Sequence, residues 1–362
     1  MALVILLVLA GCGVGRTEDS GPSPTDDPSD VLRTTDGTFP AVTLDLVARR
    51  LGDRVTEAGL PGGALIVATR DAKDEVQSFG QGDVGLGTVV PMAETSMLPT
   101  TAALLTLVDD GTLGLDEAVG THLTWMTGPA GAITLRQLLS HTSGLPTSVA
   151  CAEPTPAACD AAIAAAPLVE PPGEGFHVTD LDAHVAARLA EVATGQPWAQ
   201  LFHERIASPA AMTVTNFADP STTGGLVAVD GTTTPWDLGQ LLAVVRDGGR
   251  APTGLRVLSE ESVREMLVDQ TVRLDTHTEP WVAETGVPTY GLGVWRDRLR
   301  GDDVAAVISA PNRYGLYPFV DVGRSTWGIV VIDDHTSPRS EAVSASATIT
   351  QLTAAALRNS PD

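Results

Sequence analysis

Strand-like and helix-like patterns are distributed along this chain in an order that few folds can satisfy. Two strand patterns lie near the start, at Gly63–Arg70 and Glu75–Phe79, and three lie near the end, at Val304–Ser309, Leu316–Val322 and Trp327–Asp333. The long region between them has helical periodicity. Early and late strands can therefore form one antiparallel sheet, and the insert a mostly helical lobe. The sequence predicts an α+β fold of two lobes with a cleft between them.

The helices are predicted from apolar spacing and from end signals. Thr134 is expected to cap a short helix whose capping box Gln137 completes, and Gly111 and Gly195 are expected to end two others. The first and last helices are expected to cover one face of the sheet. The predicted helices are Ala41–Ala58, Thr100–Asp110, Leu135–Ser140, Leu181–Ala193, Pro235–Arg246, Ser259–Leu267 and Glu341–Leu357.

Charge and size exclude some classes of function. The 362 residues are 43% hydrophobic, which is enough for one large core or two modest ones. Basic residues number 22 and acidic residues 45, for a net charge of −23, so nucleic acid is not expected as a partner. Lys73 is the single lysine. No cofactor is expected, and no metal site is assigned.

The N-terminus resembles a bacterial export signal. The apolar run Ala2–Ala10 is shorter than the about 20 residues that span a bilayer. Leu9-Ala10-Gly11-Cys12 resembles a lipobox, in which Cys12 becomes lipidated; the alternative is a stray hydrophobic terminus. We expect a lipoprotein signal over 1–12, a flexible linker over 13–40 and a folded domain over 41–362. The protein is then exported and lipid-anchored to the outer face of the cell membrane.

Two further cysteines lie in a segment that looks like a loop. Cys151 and Cys159 flank the residues AEPTPAA. In an oxidising location outside the cytoplasm, this pair is expected to form a disulfide. The alternative is a pair of free thiols, because sequence does not show whether the geometry allows the bond.

Several segments together resemble one family. LLTLVDDGTLGLDEAVGTHL, ITLRQLLSHTSGLP, LVEPPGEGFHVTD and the YGLG at 290–293 resemble the serine β-lactamase and penicillin-binding-protein-like family. That family includes class C β-lactamases, D-Ala-D-Ala carboxypeptidases and related esterases. The resemblance extends from about Ala41 to Arg358 and implies a β-lactamase/transpeptidase-like fold. It also implies that His141 and Ser143 support the wall of the site; a local His–Ser dyad is the weaker alternative.

The family's first catalytic motif is Ser-x-x-Lys at the start of a helix, which places nucleophile and base one turn apart. Counting back from Gly111 gives Glu94 at the serine position and Met97 at the lysine position. A shifted register makes Ser96 the nucleophile but puts Pro99 where the lysine belongs. In both registers the base is missing.

The other two motifs also depart from the family pattern. Where relatives have Tyr-x-Asn, this chain has Val178-Thr179-Asp180, and Asp180 is expected to cap the next helix. The position of His-x-Gly holds Ala310-Pro311-Asn312. We expect four residues to line the cleft, and these are Glu94, Ser96, Asp180 and Asn312.

The loss of all three catalytic motifs predicts a relative of this family that keeps the fold but does not catalyse the reaction. The favoured function is binding or scaffolding at the cell envelope, with a peptidoglycan peptide or an envelope protein as partner. One alternative is an active serine hydrolase of this family: a β-lactamase, a D-Ala-D-Ala peptidase or an esterase. Another is a structural relic that is kept for an interaction on its outer surface.

A further alternative is an acid-lined site. Glu94 and Asp180 could act as acid and base or hold a cation, although no cation is expected nearby to activate Glu94 as a nucleophile. A metal site formed by His177, Asp180, Asp182 and His184 is also conceivable, but these residues lack a recognised ligand spacing.

Overall fold

The computed structural model describes only part of the chain. The signal, lipobox and linker predicted over 1–40 lie outside the described residues, and so does Lys73. Within the described part, no helix has both the length and the apolar character needed to cross a membrane. The described residues are 43–69, 76–271, 289–299, 305–332, 346, 348–350, 353 and 356.

A six-stranded antiparallel sheet joins the two ends of the chain, as the strand pattern predicts. Its order is β2-β1-β9-β8-β7-β6, so the first strand lies beside the last. Gly63 pairs with Gln81 on one side and with Ile332 on the other. The strands are β1 (Gly63–Thr69), β2 (Val76–Gln81), β6 (Trp295–Leu299), β7 (Ala305–Ser309), β8 (Tyr317–Asp321) and β9 (Thr326–Ile332).

Helix α1 (Leu44–Glu57) covers one face of this sheet. Thr43 caps it, and its apolar face of Val47, Leu51 and Val55 is buried at helical spacing. These side chains pack in one cluster with residues of β1 and β9 and with Ile349. The described residues between 346 and 356 are helical, so both ends of the domain contribute to this layer.

The helical lobe is built around α2 (Met97–Asp109), which is buried along nearly its whole length. The helix begins three residues before the predicted Thr100, and the capping box of Thr134 and Gln137 is confirmed. The helix α5 (Pro156–Ala165) is absent from the predicted set, because the pattern of this segment is typical of a loop. The remaining helices are α3 (Gly128–Gly131), α4 (Leu135–Leu139), α5 (Pro156–Ala165), α6 (Asp180–Thr194), α7 (Trp198–Phe202), α8 (Pro235–Arg246) and α9 (Glu260–Leu267).

A small second sheet holds the segment that leads into α2. Strands β3 (Val90–Pro91), β4 (Asn216–Phe217) and β5 (Gly231–Thr233) pair in the order β3-β5-β4. The Met92 N–H donates to the Gly231 carbonyl at 3.0 Å, which extends this contact towards α2. The architecture is therefore the expected α+β arrangement of an antiparallel sheet and a mostly helical lobe.

Candidate functional site

The position of the family's nucleophile lies in a short 3₁₀ turn, Ala93–Ser96, directly before α2. Ala93 has a φ of 41°, and its N–H donates to the Asp230 carboxylate at 3.3 Å. This strained turn projects Glu94, while Met97 begins the α-helix with only 4% of its surface exposed. Ser96 is also buried and occupies the N-cap position of α2 without a side-chain cap bond.

Glu94 is paired with a cation, which corrects the expectation that none would be near it. The Arg313 side chain contacts Glu94 Oε1 through both Nε and Nη2, and the Arg313 backbone N–H donates to Oε2 at 3.1 Å. Partial burial by itself would lower the pKa of Arg313. The hydrogen bond and the charge of Glu94 outweigh that effect and hold this pKa above its usual value.

A narrow cavity adjoins this pair. Its volume is about 20 Å³, and a single water molecule needs at least about 10–15 Å³ on the same scale. Ligand pockets in proteins are usually larger by more than tenfold. A wider depression of about 530 Å³ lies between α1 and Gln81, away from every family-motif position. The cavity is lined by Glu94, His141, Val178, Tyr290, Gly293, Trp295, Ala310 and Pro311.

The His141 imidazole forms one wall of the cavity and is backed by a buried carboxylate. Its Nδ1 lies 2.7 Å from Asp182 Oδ2, and both side chains are almost completely buried. Burial raises the pKa of Asp182, and the hydrogen bond with His141 opposes that rise. Ser143 instead accepts a hydrogen bond from the Leu145 N–H at 3.0 Å. The structure thus gives His141 a carboxylate partner and gives Ser143 a backbone partner.

The second motif is divided between the cavity and a helix cap. Val178 lines the cavity. The cap of α6 is Thr179 and not the predicted Asp180, because the Thr179 hydroxyl accepts from the Leu181 N–H and donates to the Pro146 carbonyl at 2.9 Å. Asp180 begins the helix and is exposed. The protein groups around the carboxyl still remove part of its hydration, which raises the pKa of Asp180; the charge of Glu94 raises this pKa further, and Arg313 opposes both.

The third motif forms the turn between β7 and β8. Ala310 and Pro311 line the cavity, but Asn312 does not and is fully buried instead. The Asn312 amide group donates to the Pro91 and Met92 carbonyls, and its oxygen accepts from two backbone N–H groups of its own turn. The prediction that Asn312 lines the cleft is therefore wrong, since all its polar atoms are used to hold the turn in place.

A tight approach of one loop completes the cavity. Gly293 has a φ of +68°, and a Cβ atom there would lie 2.1 Å from Thr101 Oγ1 in α2. Glycine therefore allows the loop before β6 to reach the central helix. This brings Tyr290 and Trp295 to the cavity, with their ring centroids 4.9 Å apart. Burial and the charge of Asp182 raise the pKa of Tyr290.

Three of the four residues considered as metal ligands have separate hydrogen-bond partners. His177 Nε2 lies 3.1 Å from Glu170, and His184 Nε2 lies 3.0 Å from Asp160. Asp182 bonds His141, as described above. Among the residues that the structure describes, no group of three or more His, Cys, Asp or Glu side chains is arranged for a metal ion.

The predicted disulfide between Cys151 and Cys159 is present, with the two Cα atoms 4.8 Å apart. Cys159 lies within α5. The residue that sequence reasoning missed is Arg313. It directly follows the third motif, and only the folded turn reveals that its guanidinium reaches Glu94.

Comparison with known proteins agrees with this architecture. D-alanyl-D-alanine-carboxypeptidase/endopeptidase AmpH of Escherichia coli K12 is 28% identical over 204 residues, which are 50% of this chain and 51% of that protein. The chain therefore spans about half the length of the curated relatives it matches.

Solved structures are similar over more of the chain. A putative beta-lactamase from Bacteroides dorei is 26% identical with a TM-score of 0.74, over 85% of this chain and 98% of that one. The octameric penicillin-binding protein homologue from Pyrococcus abyssi has a TM-score of 0.63 at 16% identity, over 82% and 74% of the two chains. The family model described as Beta-lactamase matches residues 47–348. With this match over most of its length, the protein belongs to the beta-lactamase family.

Proposed function

We propose that this member of the family does not perform acyl transfer and acts as a binding or scaffolding protein at the cell envelope. The observation that carries the proposal is the pairing of Glu94 with Arg313 at the position where the family has its serine nucleophile. A serine there needs a neighbouring base to accept its proton. This chain has neither the serine nor the base.

The chemistry of the three motif positions supports an inactive site. A carboxylate that attacked an acyl group would form a reactive anhydride, and the Arg313 charge lowers the nucleophilicity of Glu94. Met97 and Val178 have no group that exchanges a proton near neutral pH. Loss of a nucleophile and its base typically costs several orders of magnitude in rate.

The proposed partner is a peptidoglycan peptide or an envelope protein. AmpH is a D-alanyl-D-alanine-carboxypeptidase/endopeptidase, and a related groove can retain affinity after the reaction is lost. We also propose that the protein is exported and held at the outer face of the membrane by a lipid on Cys12. In that case Cys12→Ser releases the protein from the membrane fraction of its host, and retention there would contradict the anchor.

A labelled β-lactam and a chromogenic ester test the loss of activity. We expect the wild-type protein to form no covalent adduct and to hydrolyse no ester above background. The double variant Glu94→Ser/Met97→Lys restores the motif and should gain a β-lactam adduct, visible as a mass increase. Met97→Lys alone is the matched control, because it adds the base without a nucleophile. An adduct on the wild-type protein would overturn the proposal.

One observation favours a second candidate, an acid-lined site. The Glu94 charge contributes to the raised pKa of Asp180, so the two carboxyls interact electrostatically. A site of this kind would bind a divalent cation between them. A thermal shift with Ca²⁺ or Mg²⁺ that disappears in Glu94→Gln would favour this candidate, and no shift would exclude cation binding there.

A further inference from the structure

The cavity beside Glu94 has the chemistry of a small cation site. Its walls include the Glu94 carboxylate, the His141 imidazole and the rings of Tyr290 and Trp295. Aromatic faces and a carboxylate both attract a positive charge. None of the described side chains that line the cavity is a lysine or an arginine.

The orientation of His141 adds an acceptor. In the neutral tautomer whose Nδ1–H donates to Asp182 across the 2.7 Å contact, Nε2 of the His141 ring is an acceptor. The cavity volume of about 20 Å³ is that of one water molecule. An ammonium group has about the size of water and donates hydrogen bonds only, so it matches the acceptors of the lining, which are the Glu94 carboxylate and the His141 imidazole nitrogen.

Arg313 occupies the other side of the same carboxylate. The Glu94 side chain is only 12% exposed, whereas that of Arg313 is 42% exposed. Glu94 is therefore the buried partner and Arg313 the solvent-facing one. Removing Arg313 leaves the charge of the largely buried Glu94 without a partner, which is unfavourable. Arg313 can thus leave Glu94 readily only when another cation takes its place.

The turn that carries Arg313 can stay in position during this exchange. Asn312 holds the turn to Pro91 and Met92, and the Thr95 hydroxyl donates to the Ala310 carbonyl at 2.7 Å. These bonds are buried or partly buried and do not involve the Arg313 side chain. Opening the site then needs a rotamer change of one exposed side chain and no rearrangement of the sheet.

We propose that the cavity binds a primary ammonium group of the ligand, and that Arg313 competes with that group for Glu94. The inference rests on the proposed function, in that the groove binds its ligand without being acylated. Because it competes for Glu94, Arg313 lowers the affinity of the cavity for the ammonium group. An amine-bearing peptide or amino-acid derivative is the class of ligand that fits.

Methylammonium chloride is the probe, titrated by NMR against sodium chloride at equal ionic strength. We expect Arg313→Gln to lower the apparent dissociation constant for methylammonium at least tenfold relative to wild type. Glu94→Gln, which keeps the size of the side chain, should abolish binding, also in combination with Arg313→Gln. Arg54→Gln removes a similar guanidinium from an exposed pair with Glu57 and should match wild type.

Equal affinities of wild type and Arg313→Gln would overturn the inference, and so would binding that persists in Glu94→Gln. If Arg313→Gln fails to fold, as judged by its melting curve, Arg313→Lys serves instead. Lysine keeps the charge but cannot make two contacts to the carboxylate. The affinity of Arg313→Lys for methylammonium should therefore lie between those of the wild type and Arg313→Gln. An acylated wild-type protein would contradict the proposed function, whereas unchanged methylammonium affinity would contradict this inference alone.

Discussion

Two adjacent residues of the β7–β8 turn differ in the solvent exposure of their side chains. Asn312 is fully buried and uses its amide to bond four backbone groups, whereas the side chain of Arg313 is 42% exposed. In this chain the third-motif position is thus structural, and its neighbour carries the charge. A change at each residue therefore affects a different property.

Asn312→Ala should destabilise the fold. It leaves buried backbone carbonyl and N–H groups without partners, and we expect the free energy of unfolding to fall by about 2–4 kcal/mol. Urea denaturation followed by circular dichroism measures this. Asn216→Ala, which removes one exposed bond to the Val214 carbonyl, is the control and should change stability by less than about 0.5 kcal/mol. A small effect of Asn312→Ala would mean that water replaces the amide.

Asp297 should make stability depend on pH. Burial raises its pKa to about 7, although the Ser309 hydroxyl donates to it at 2.7 Å. Between about pH 4 and pH 7 the unfolded carboxyl has lost its proton while the folded one holds it. Folding then takes up a proton, so stability falls as pH rises, by up to about 1.4 kcal/mol per pH unit.

Asp297→Asn isolates this contribution. Urea titration at each pH measures the free energy of unfolding of the wild type and of Asp297→Asn. The difference between the two should fall from pH 4 to pH 7 and stay constant above pH 7. Asp219→Asn is the control, because hydrogen bonds from Ser221 lower the pKa of Asp219 and it titrates below this range. A pH-independent difference for Asp297→Asn would show that its carboxyl is ionised throughout.

At the scale of elements, local signals predicted helix ends better than they predicted whole elements. The cap at Thr134 and the stop at Gly195 are confirmed. The start of α5 has equally good signals, because Thr155 caps the helix and Pro156 follows it. The alanine-rich segment after them has little amphipathic pattern, so the sequence predicts a loop there.

The sequence pattern does not predict strand β6, and the physical reason is different from that for α5. Its sequence, WRDRL, contains three charged residues in five, which argues against a strand by composition. In the fold, Arg296 is buried and paired with Asp269 at 2.8 Å. The partner comes from a segment distant in sequence, so a single-chain pattern does not reveal it. The same holds for Arg313 and Glu94, whose contact exists only once the turn meets α2.

The disulfide joins α5 to the loop before it. Its cysteines are 8 residues apart, and closing a loop of that length is expected to stabilise the fold by roughly 2–3 kcal/mol. Cys151→Ser/Cys159→Ser should lower the urea midpoint accordingly and make it insensitive to reductant, whereas the wild-type midpoint should fall when reductant is added. Equal midpoints with and without reductant in the wild type would contradict this contribution.

For the whole molecule, the α+β class and the large antiparallel sheet follow from where the strand patterns lie along the chain. The spacing of the family motifs predicts the position of Glu94 in the candidate site but not its partner Arg313. Motif spacing predicts positions within continuous segments, whereas the cavity is lined by residues from five parts of the chain. The site's function therefore depends on tertiary contacts that no single motif contains.

The pairing of Gly63 with Ile332 also has a consequence for the order of events during biogenesis. Strand β1 gains β9 as its neighbour only after the helical lobe and strands β6 to β8 have been synthesised. Contacts this distant in sequence form slowly. The nascent domain therefore remains incompletely folded until strand β9 emerges and completes the sheet.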